Sequence, residues 1–251
     1  MRRKLVAGNW KMNYLPSKAA AFAAEMKDKL NSDKVDVALC VPFVSLEGVK
    51  NALSGSNVKV GAQNMHFLDE GAYTGEVSAP MLQEMGVPYV IIGHSERREM
   101  FGETDETVNK KIHQALKYGI TPILCIGESF EEREENRTND VLSTQVTVDF
   151  AEISAADVAK VVIAYEPIWA IGVKAKRPAT TEEAEDACKF VREKIASLYS
   201  GSEADKIRIL YGGSVSDTTA SELFNQPNID GGLVGGASMK PSFEKVVHYD
   251  N

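Results

Sequence analysis

Eight short apolar runs recur along the chain, with amphipathic stretches between them. Most of the runs are continuously apolar and rich in Val and Ile, which is typical of parallel strands that are covered on both faces. The predicted strands are residues 4–9, 35–41, 58–62, 89–93, 121–126, 161–165, 207–211 and 232–234. The last run is the weakest signal, because its glycine-rich flanks make it short.

Helix start and stop signals stand between these runs. The predicted helices are residues 18–30 after Pro16-Ser17, 46–53 after Ser45, 106–118 between Asp105 and Gly119, one from Thr181 to about Tyr199 and one from Asp217 towards Asn225. Eight βα units in 251 residues, with no visible interdomain linker, favour a closed barrel over an open doubly wound sheet. We therefore predict an α/β fold, a (β/α)8 barrel of eight parallel strands ringed by helices, in a single domain that spans residues 1–251.

The barrel prediction locates the functional residues, because such barrels carry their chemistry in the loops at the carboxyl ends of the strands. Five of these loops begin with polar or glycine-rich sequences, namely Asn9-Trp10-Lys11, His94-Ser95-Glu96-Arg97, Glu166, Gly212-Gly213-Ser214 and Gly235-Gly236-Ala237-Ser238. We expect all five to face one mouth of the barrel.

Residues 161–176 follow a distinctive order. An apolar run ends in a single carboxylate, Glu166, and Pro167 then stops the strand because proline has no N–H to donate. Trp169 and the small apolar residues up to Gly172 could form a flap over that carboxylate. The alternative is an ordinary loop with a surface glutamate.

Two further side chains at the predicted mouth have both a functional and an ordinary interpretation. Lys11 could place a mobile positive charge beside an anion or a developing oxyanion, although most lysines are simply solvated. His94 stands at the start of a predicted helix, whose positive end disfavours imidazolium and leaves a neutral ring able to donate a hydrogen bond to a carbonyl. A structural histidine is the alternative.

The glycine clusters after the seventh and eighth strands could bind a phosphate. Glycine lets backbone N–H groups approach an anion closely, and barrels often bind phosphate with these two loops and a nearby helix N-terminus. Neither cluster matches a P-loop or a dinucleotide fingerprint. Tight turns would explain each cluster taken alone.

Composition argues against several classes of partner. The net charge of −8 is spread along the chain without a basic block, which argues against nucleic acid and anionic membranes. No stretch approaches the ~18 apolar residues of a membrane span, and the N-terminus lacks the pattern of a signal peptide. The three distant cysteines favour reduced thiols in the cytoplasm, and neither they nor the four histidines have metal-ligand spacing. We therefore predict no metal site.

The densest run of charges is residues 128–137 (ESFEEREENR). It follows the fifth predicted strand, where a helix would lie on the outside of the barrel. Such runs usually form the solvated face of a helix, and we predict that role here.

Five segments of the chain resemble the signature sequences of one enzyme family, in that family's order. They are residues 8–13 (GNWKMN), 93–98 (GHSERR), 164–172 (AYEPIWAIG), 211–215 (YGGSV) and 233–238 (LVGGAS). The family is triosephosphate isomerase, and the similarity extends from about Lys4 to Val247. The resemblance implies a TIM barrel that interconverts dihydroxyacetone phosphate and glyceraldehyde 3-phosphate in glycolysis and gluconeogenesis, with no metal or organic cofactor.

The resemblance also implies a role for each matching residue. Glu166 matches the base that moves a proton between two carbons, and His94 matches the electrophile that polarises the carbonyl. Triosephosphate isomerase is itself the reference example of a neutral histidine in this role. Lys11 matches the ammonium that balances the enediolate charge, with Asn9 beside it, and Glu96 matches a supporting acid for which a structural ion pair is an equal alternative. The residues that match the phosphate cradle are Gly172, Ser214, Gly235 and Gly236.

The loop from Gly71 to Glu76 (GAYTGE) resembles the family's dimer finger. This implies a homodimer in which Thr74 lies against the first and fourth loops of the partner subunit, so that the site is complete only in the dimer. The alternative is a floppy surface loop, although its length favours a functional or interface role.

Beyond Gly172 the chain departs from the family pattern. The family usually continues with Thr-Gly, a short hinge and Ala-Thr, whereas residues 173–180 read VKAKRPAT, about two residues longer. A β-branched Val and a Lys reach positive φ less easily than glycine does. We therefore expect an altered C-terminal hinge, between Val173 and Thr181, that changes the geometry or rate of flap closure.

Two other functions fit parts of the pattern. Glu96 and Glu166 could be the acid and nucleophile of a glycosidase, but the phosphate-type glycine loops and the presence of only two tryptophans argue against a sugar platform. A non-enzymatic barrel would tolerate loss of Lys11, His94 or Glu166, and all three are intact. Activity with glyceraldehyde 3-phosphate would separate these interpretations.

Overall fold

The computed structural model describes residues 2–172 and 175–250, and its eight strands close into a barrel. Neighbouring strands pair in parallel and in chain order, and the first strand pairs with the last. The strands are β1 (Leu5–Asn9), β2 (Asp36–Val41), β3 (Lys59–Ala62), β4 (Tyr89–Ile92), β5 (Thr121–Ile126), β6 (Val162–Tyr165), β7 (Arg208–Tyr211) and β8 (Gly231–Val234). The predicted (β/α)8 barrel is confirmed, and each predicted strand end lies within one residue of the observed one.

Helices cover the outside of the barrel. Within the described ranges they are α1 (Pro16–Met26), α2 (Leu46–Ala52), α3 (Ala79–Glu84), α4 (Ser95–Phe101), α5 (Asp105–Lys117), α6 (Phe130–Glu134), α7 (Thr138–Asp149), α8 (Ala155–Val158), α9 (Thr181–Leu198), α10 (Gly201–Ala204), α11 (Ala220–Phe224) and α12 (Phe243–Val247). Short 3-10 turns occupy Phe43–Ser45, Ile168–Ala170 and Gly236–Met239. Over the described residues, no helix combines the length and the apolar character that crossing a membrane requires.

The start of α5 differs from the prediction. Asp105 is not the cap but the first helical residue, and its carboxylate binds Arg98. The cap is Thr104, whose hydroxyl accepts the Thr107 N–H while the Thr107 hydroxyl accepts the Thr104 N–H. This reciprocal pair satisfies two N–H groups at the helix start, which a single aspartate cap would not do.

Two other helices are shorter than predicted. α1 includes Pro16 but ends at Met26 instead of continuing to Leu30. α11 begins at Ala220 rather than after Asp217, because the preceding turn is closed by the Ser216 N–H donating to the Thr219 hydroxyl at 3.0 Å.

Side chains inside the barrel alternate with side chains that face the helices. Leu5 and Ala7 belong to the interior cluster, whereas Val6 belongs to the cluster between strands and helices. The interior cluster also contains Ala38, Cys40, Ile91, Ile123, Cys125, Val162, Ala164, Leu210 and Leu233. By the same period of two, Asn9 and Glu166 follow the interior residues of their strands and lie in the mouth above this cluster.

Trp10 anchors the first loop in the core. Its ring is fully buried and packs edge-on against Tyr14 and Phe22, with ring centroids 5.4 and 5.7 Å away. Because Trp10 turns into the core, its neighbours Asn9 and Lys11 are both left at the mouth.

The cysteines are packing residues. All three are free and buried, and burial raises the pKa of the Cys40 thiol to about 12. In residues 2–172 and 175–250, no three or more His, Cys, Asp or Glu side chains come together as a group that could hold a metal ion.

Candidate active site

A cavity of about 770 Å³ opens at the carboxyl ends of the strands. The loops after β1, β4, β6, β7 and β8 all contribute to it, as the barrel prediction requires. Its lining includes Asn9, Lys11, His94, Glu166, Gly172, Ser214, Gly235 and Gly236. Glu96 does not line this cavity; it lines an adjacent cleft that Lys11 and His94 share.

Glu166 is the buried carboxylate of the cavity. Its Oε1 lies 2.9 Å from His94 Nε2, and its Oε2 accepts the Ser95 N–H at 3.1 Å. Burial raises the pKa of Glu166, but His94, the Ser95 N–H and Lys11 together outweigh burial and hold that pKa below its ordinary value. In this arrangement the group is therefore a carboxylate whose two oxygens are both occupied by donors.

His94 caps the N-terminus of α4. Its Nδ1 accepts the Glu96 N–H at 3.2 Å, so Nδ1 carries no proton and Nε2 is the nitrogen that donates to Glu166. Burial lowers the pKa of His94, but the neighbouring Glu166 carboxylate outweighs burial and raises it. A second proton would have to enter at Nδ1, against the positive end of α4, so the neutral ring fits both hydrogen bonds.

Lys11 bridges the cavity and the adjacent cleft. Its Nζ lies 2.7 Å from Glu96 Oε1, and its backbone adopts a left-handed conformation with φ of 50°. The Asn9 side chain supports this turn by accepting the Lys11 N–H at 3.0 Å. Gln63, which the sequence interpretation missed, donates to the carbonyl oxygens of Lys11 and Cys40 at 3.0 Å and to Asn9 Oδ1 at 3.3 Å.

Two glycines leave room for the Glu166 segment. A Cβ on Gly127 would overlap the Glu166 carbonyl oxygen, and a Cβ on Gly212 would lie 2.8 Å from Glu166 Cγ. The Glu166 side chain and backbone are thus packed against bare backbone of the loops after β5 and β7, which restricts the positions that the carboxylate can take.

A family model described as triosephosphate isomerase matches residues 4–250. The chain belongs to the triosephosphate isomerase family. It is 55% identical to the triosephosphate isomerase of Acetivibrio thermocellus over 99% of each chain, and 51% identical to that of Carboxydothermus hydrogenoformans over 98% of each. It is 49% identical to that of Clostridium novyi over the full length of both. The resemblance drawn from five short segments is thereby confirmed.

In this triosephosphate isomerase family barrel, Glu128 is the main residue near the site that the sequence interpretation got wrong. Residues 128–137 were predicted as a solvated helix face, but Glu128 is fully buried. Its Oε1 accepts the Trp169 indole N–H at 2.7 Å and the Tyr165 hydroxyl at 3.1 Å. The signal that could have found it was position, since Glu128 is the second residue after β5, just as His94 is the second residue after β4.

Proposed function

We propose that this member of the triosephosphate isomerase family interconverts dihydroxyacetone phosphate and glyceraldehyde 3-phosphate through an enediolate, and that residues 1–251 act as one catalytic domain. The observation that carries the proposal is the 2.9 Å contact between Glu166 Oε1 and His94 Nε2 in a cavity that Lys11 also lines. One carboxylate base, one neutral donor and one cation are the groups that moving a proton next to a carbonyl requires.

Glu166 acts as the base in this proposal. To reach a substrate carbon, its carboxylate has to leave the Ser95 N–H and His94, which now hold its pKa down. Burial then dominates and raises the pKa of Glu166. The movement that brings the carboxylate to the carbon therefore also makes it a stronger base.

His94 acts as the electrophile. Once Glu166 leaves, Nε2–H is free to donate to the substrate carbonyl oxygen, while the Glu96 N–H keeps Nδ1 unprotonated. The larger influence that raised the His94 pKa leaves with Glu166; burial and Lys11 then lower this pKa, and Glu96 is the smaller influence that still raises it. Lys11 adds a positive charge beside the oxygen on which negative charge develops.

The glycine loops act as the phosphate cradle. Ser214, Gly235 and Gly236 lie on the same cavity as Glu166, and Gly236 begins a 3-10 turn, where backbone N–H groups lack partners within the turn. Gly172, at the tip of the flap, adds its N–H when the flap closes over the phosphate.

We further infer a homodimer, formed through the finger from Gly71 to Glu76, and a cytoplasmic location that suits three free, buried thiols. Thr74 is exposed, and so are Met12 in the first loop, Val44 in the second and Phe101 at the end of α4. Exposed apolar side chains next to a site are typical of a surface that another chain covers.

The altered C-terminal hinge of the flap is also a proposal. Val173 and Lys174, which replace the usual Thr-Gly, lie outside the described residues. The rest of the hinge, residues 175–181, is described, and the contacts of Arg177 with Glu183 and with the Trp169 ring support the proposal that this hinge changes flap closure.

Substitution Glu166→Gln tests the function in an assay that couples glyceraldehyde 3-phosphate isomerisation to a reductase. We expect turnover to fall by about 10²–10⁴, the usual contribution of a general base, while the melting temperature stays close to wild type. Glu47→Gln, an exposed carboxylate on α2, is the matched control and should retain full turnover. Unimpaired turnover in Glu166→Gln would refute the assignment.

A further inference from the structure

The chain beyond the flap returns to Trp169, the residue at the flap's N-terminal side. The Lys176 N–H donates to the Trp169 carbonyl oxygen at 2.8 Å, and the Ala175 N–H donates to the Gly172 carbonyl oxygen at 3.3 Å. The two sides of the flap are therefore joined at its base by backbone hydrogen bonds.

Arg177 adds a side-chain connection at the same place. Its Nη1 and Nη2 each donate to one oxygen of Glu183 at 2.7 Å, and its Cζ lies 4.7 Å from the centroid of the Trp169 ring. Glu183 is itself fixed, because it also accepts the Thr180 N–H at 2.8 Å in the capping box of α9. Arg177 thus links the Trp169 ring to the rigid start of a helix.

A second arginine converges on the same pair of residues. Arg133 donates to Glu183 Oε1 at 2.6 Å, and its Cζ lies 4.4 Å from the Trp169 ring centroid. The Trp169 indole N–H is bound to the buried Glu128 carboxylate at 2.7 Å. Two guanidinium groups and one carboxylate therefore define the orientation of a single ring.

Trp169 lies midway in sequence between the proposed base, Glu166, and the proposed phosphate ligand of the flap, Gly172. Glu166 is three residues before it, and Gly172 is three residues after it and exposed, with no atom within 4 Å of where a Cβ would stand. Gly172 is thus exposed to solvent in this arrangement, and bringing its N–H onto a phosphate in the cavity would move the backbone on both sides of the ring. Contacts that fix the ring therefore oppose closure.

We propose that Arg177 is a positioning residue of the isomerase, which holds the flap open by binding Trp169 and Glu183 together. The inference rests on the proposed function, because it assigns Arg177 control over closure of that same site. An interaction made only in the open arrangement lowers the population of the closed one, and with it the affinity for any ligand that requires closure.

Arg177→Met tests the proposal, because methionine keeps much of the side-chain length and loses the charge and both hydrogen bonds. We expect the dissociation constant of 2-phosphoglycolate, a small phosphorylated carboxylate that carries the charges of the enediolate, to fall about three- to tenfold, the range for a partly exposed ion pair with a cation–π contact. Turnover should fall if flap opening limits product release, because the variant flap stays closed for longer. Unchanged or weaker 2-phosphoglycolate binding would overturn the proposal.

Arg137→Met is the matched control. Arg137 has nearly the same side-chain exposure as Arg177, 47% against 49%, and it pairs with Glu135 and Glu132. It should leave the affinity for 2-phosphoglycolate within twofold of wild type. Loss of a positive charge alone would weaken the binding of this anion, so an equal gain in affinity from Arg137→Met would show that the gain does not depend on the contacts with Trp169 and Glu183, and would overturn the role of Arg177.

A nuclear magnetic resonance experiment without substrate separates this proposal from the function on which it rests. The chain has two tryptophans, so the indole N–H region holds one signal from Trp169 and one from the core residue Trp10. Arg177→Met should shift the Trp169 signal and leave the Trp10 signal unchanged. Arg177→Lys should give a smaller shift, because lysine keeps the positive charge but cannot donate the paired hydrogen bonds to both oxygens of Glu183. A Trp169 signal that does not move overturns the proposal even if the enzyme is active, whereas absent wild-type turnover counts only against the proposed function.

Discussion

At the scale of single residues, the chemistry depends on donors that the main chain supplies. The Ser95 N–H binds Glu166 and the Glu96 N–H binds His94, and both belong to the first turn of α4. One helix N-terminus therefore sets the protonation of two side chains, because its free N–H groups favour a carboxylate and an unprotonated ring nitrogen.

The lowered pKa of Glu166 has a consequence for acid pH. A glutamate whose pKa lies below its ordinary value of 4.5 stays ionised, and active as a base, until the pH falls through that lowered value. We expect the Glu166 carboxyl carbon in the substrate-free enzyme to titrate below pH 4.5, separately from His94, whose pKa is raised in the same arrangement. Carbon-13 nuclear magnetic resonance of labelled glutamate, with Glu166→Gln to assign the signal, checks this, and a Glu166 titration above pH 4.5 would contradict it.

The sequence indicated which side chains lie at the site, but it did not indicate which backbone N–H groups bind them. The position of Lys11, His94 and Glu166 at the mouth of the barrel could be predicted because each follows an apolar run closely. The Ser95 N–H could not, because every residue except proline has such a group. Glu128 was wrongly predicted to be solvated because it begins a run of charged residues. Its carboxylate is buried because Trp169 and Tyr165, which are distant in sequence, donate hydrogen bonds to it.

At the scale of elements, closure of the barrel depends on Gly231, the first residue of β8. Gly231 has a φ of 121°, and a Cβ there would overlap the carbonyl oxygen of Leu5 on β1. Because β8 pairs with β1 at this residue, a side chain would separate the strands at the point where the barrel closes.

We expect Gly231→Ala to lower the melting temperature by more than about 10 °C or to abolish soluble folded protein, because backbone strain and steric overlap add. Gly119→Ala measures the cost of backbone strain without the steric overlap. Gly119 has a φ of 67°, and no atom lies within 4 Å of where its Cβ would stand, so this substitution should cost about 1 kcal/mol, or roughly 2–4 °C. Thermal unfolding followed by circular dichroism compares the two, and equal shifts would rule out the overlap with Leu5.

Strands were easier to predict than helix ends. A buried strand in this barrel is an apolar run with a clear start and stop, which is why residues 121–126 were predicted to the residue. A helix end depends on which of several polar residues forms the cap. Thr104 and Asp105 are adjacent and both suitable, and only the reciprocal bond with Thr107 decides between them.

At the scale of the whole molecule, the exposed finger bears on the oligomeric state. Thr74 lies at its tip. The base of the finger is internally ordered, since the ring of His66 stacks on Phe67 at 4.4 Å and lies tilted against Tyr73 at 4.5 Å. A loop whose base is already ordered loses little conformational entropy when its exposed tip binds another subunit, which favours a role for the finger in dimer formation.

Thr74→Arg should therefore separate the subunits, because it places a charge at the centre of the proposed contact. We expect analytical ultracentrifugation at micromolar concentration to give a dimer for wild type and a monomer for the variant, with activity at least tenfold lower. Thr147→Arg, on the exposed face of α7, adds the same charge elsewhere and should stay dimeric and active. A wild-type monomer with full activity would refute the dimer.

Gln63 connects the first loop of the site to the loop after β3. Its amide holds Asn9 and the carbonyl oxygens of Lys11 and Cys40, yet it begins the segment that leads to the finger. Three hydrogen bonds at one side chain leave the first loop and the base of the third little freedom to move separately. A change at the finger that moved Gln63 would therefore also move the backbone of Lys11, and with it the positive charge at the site.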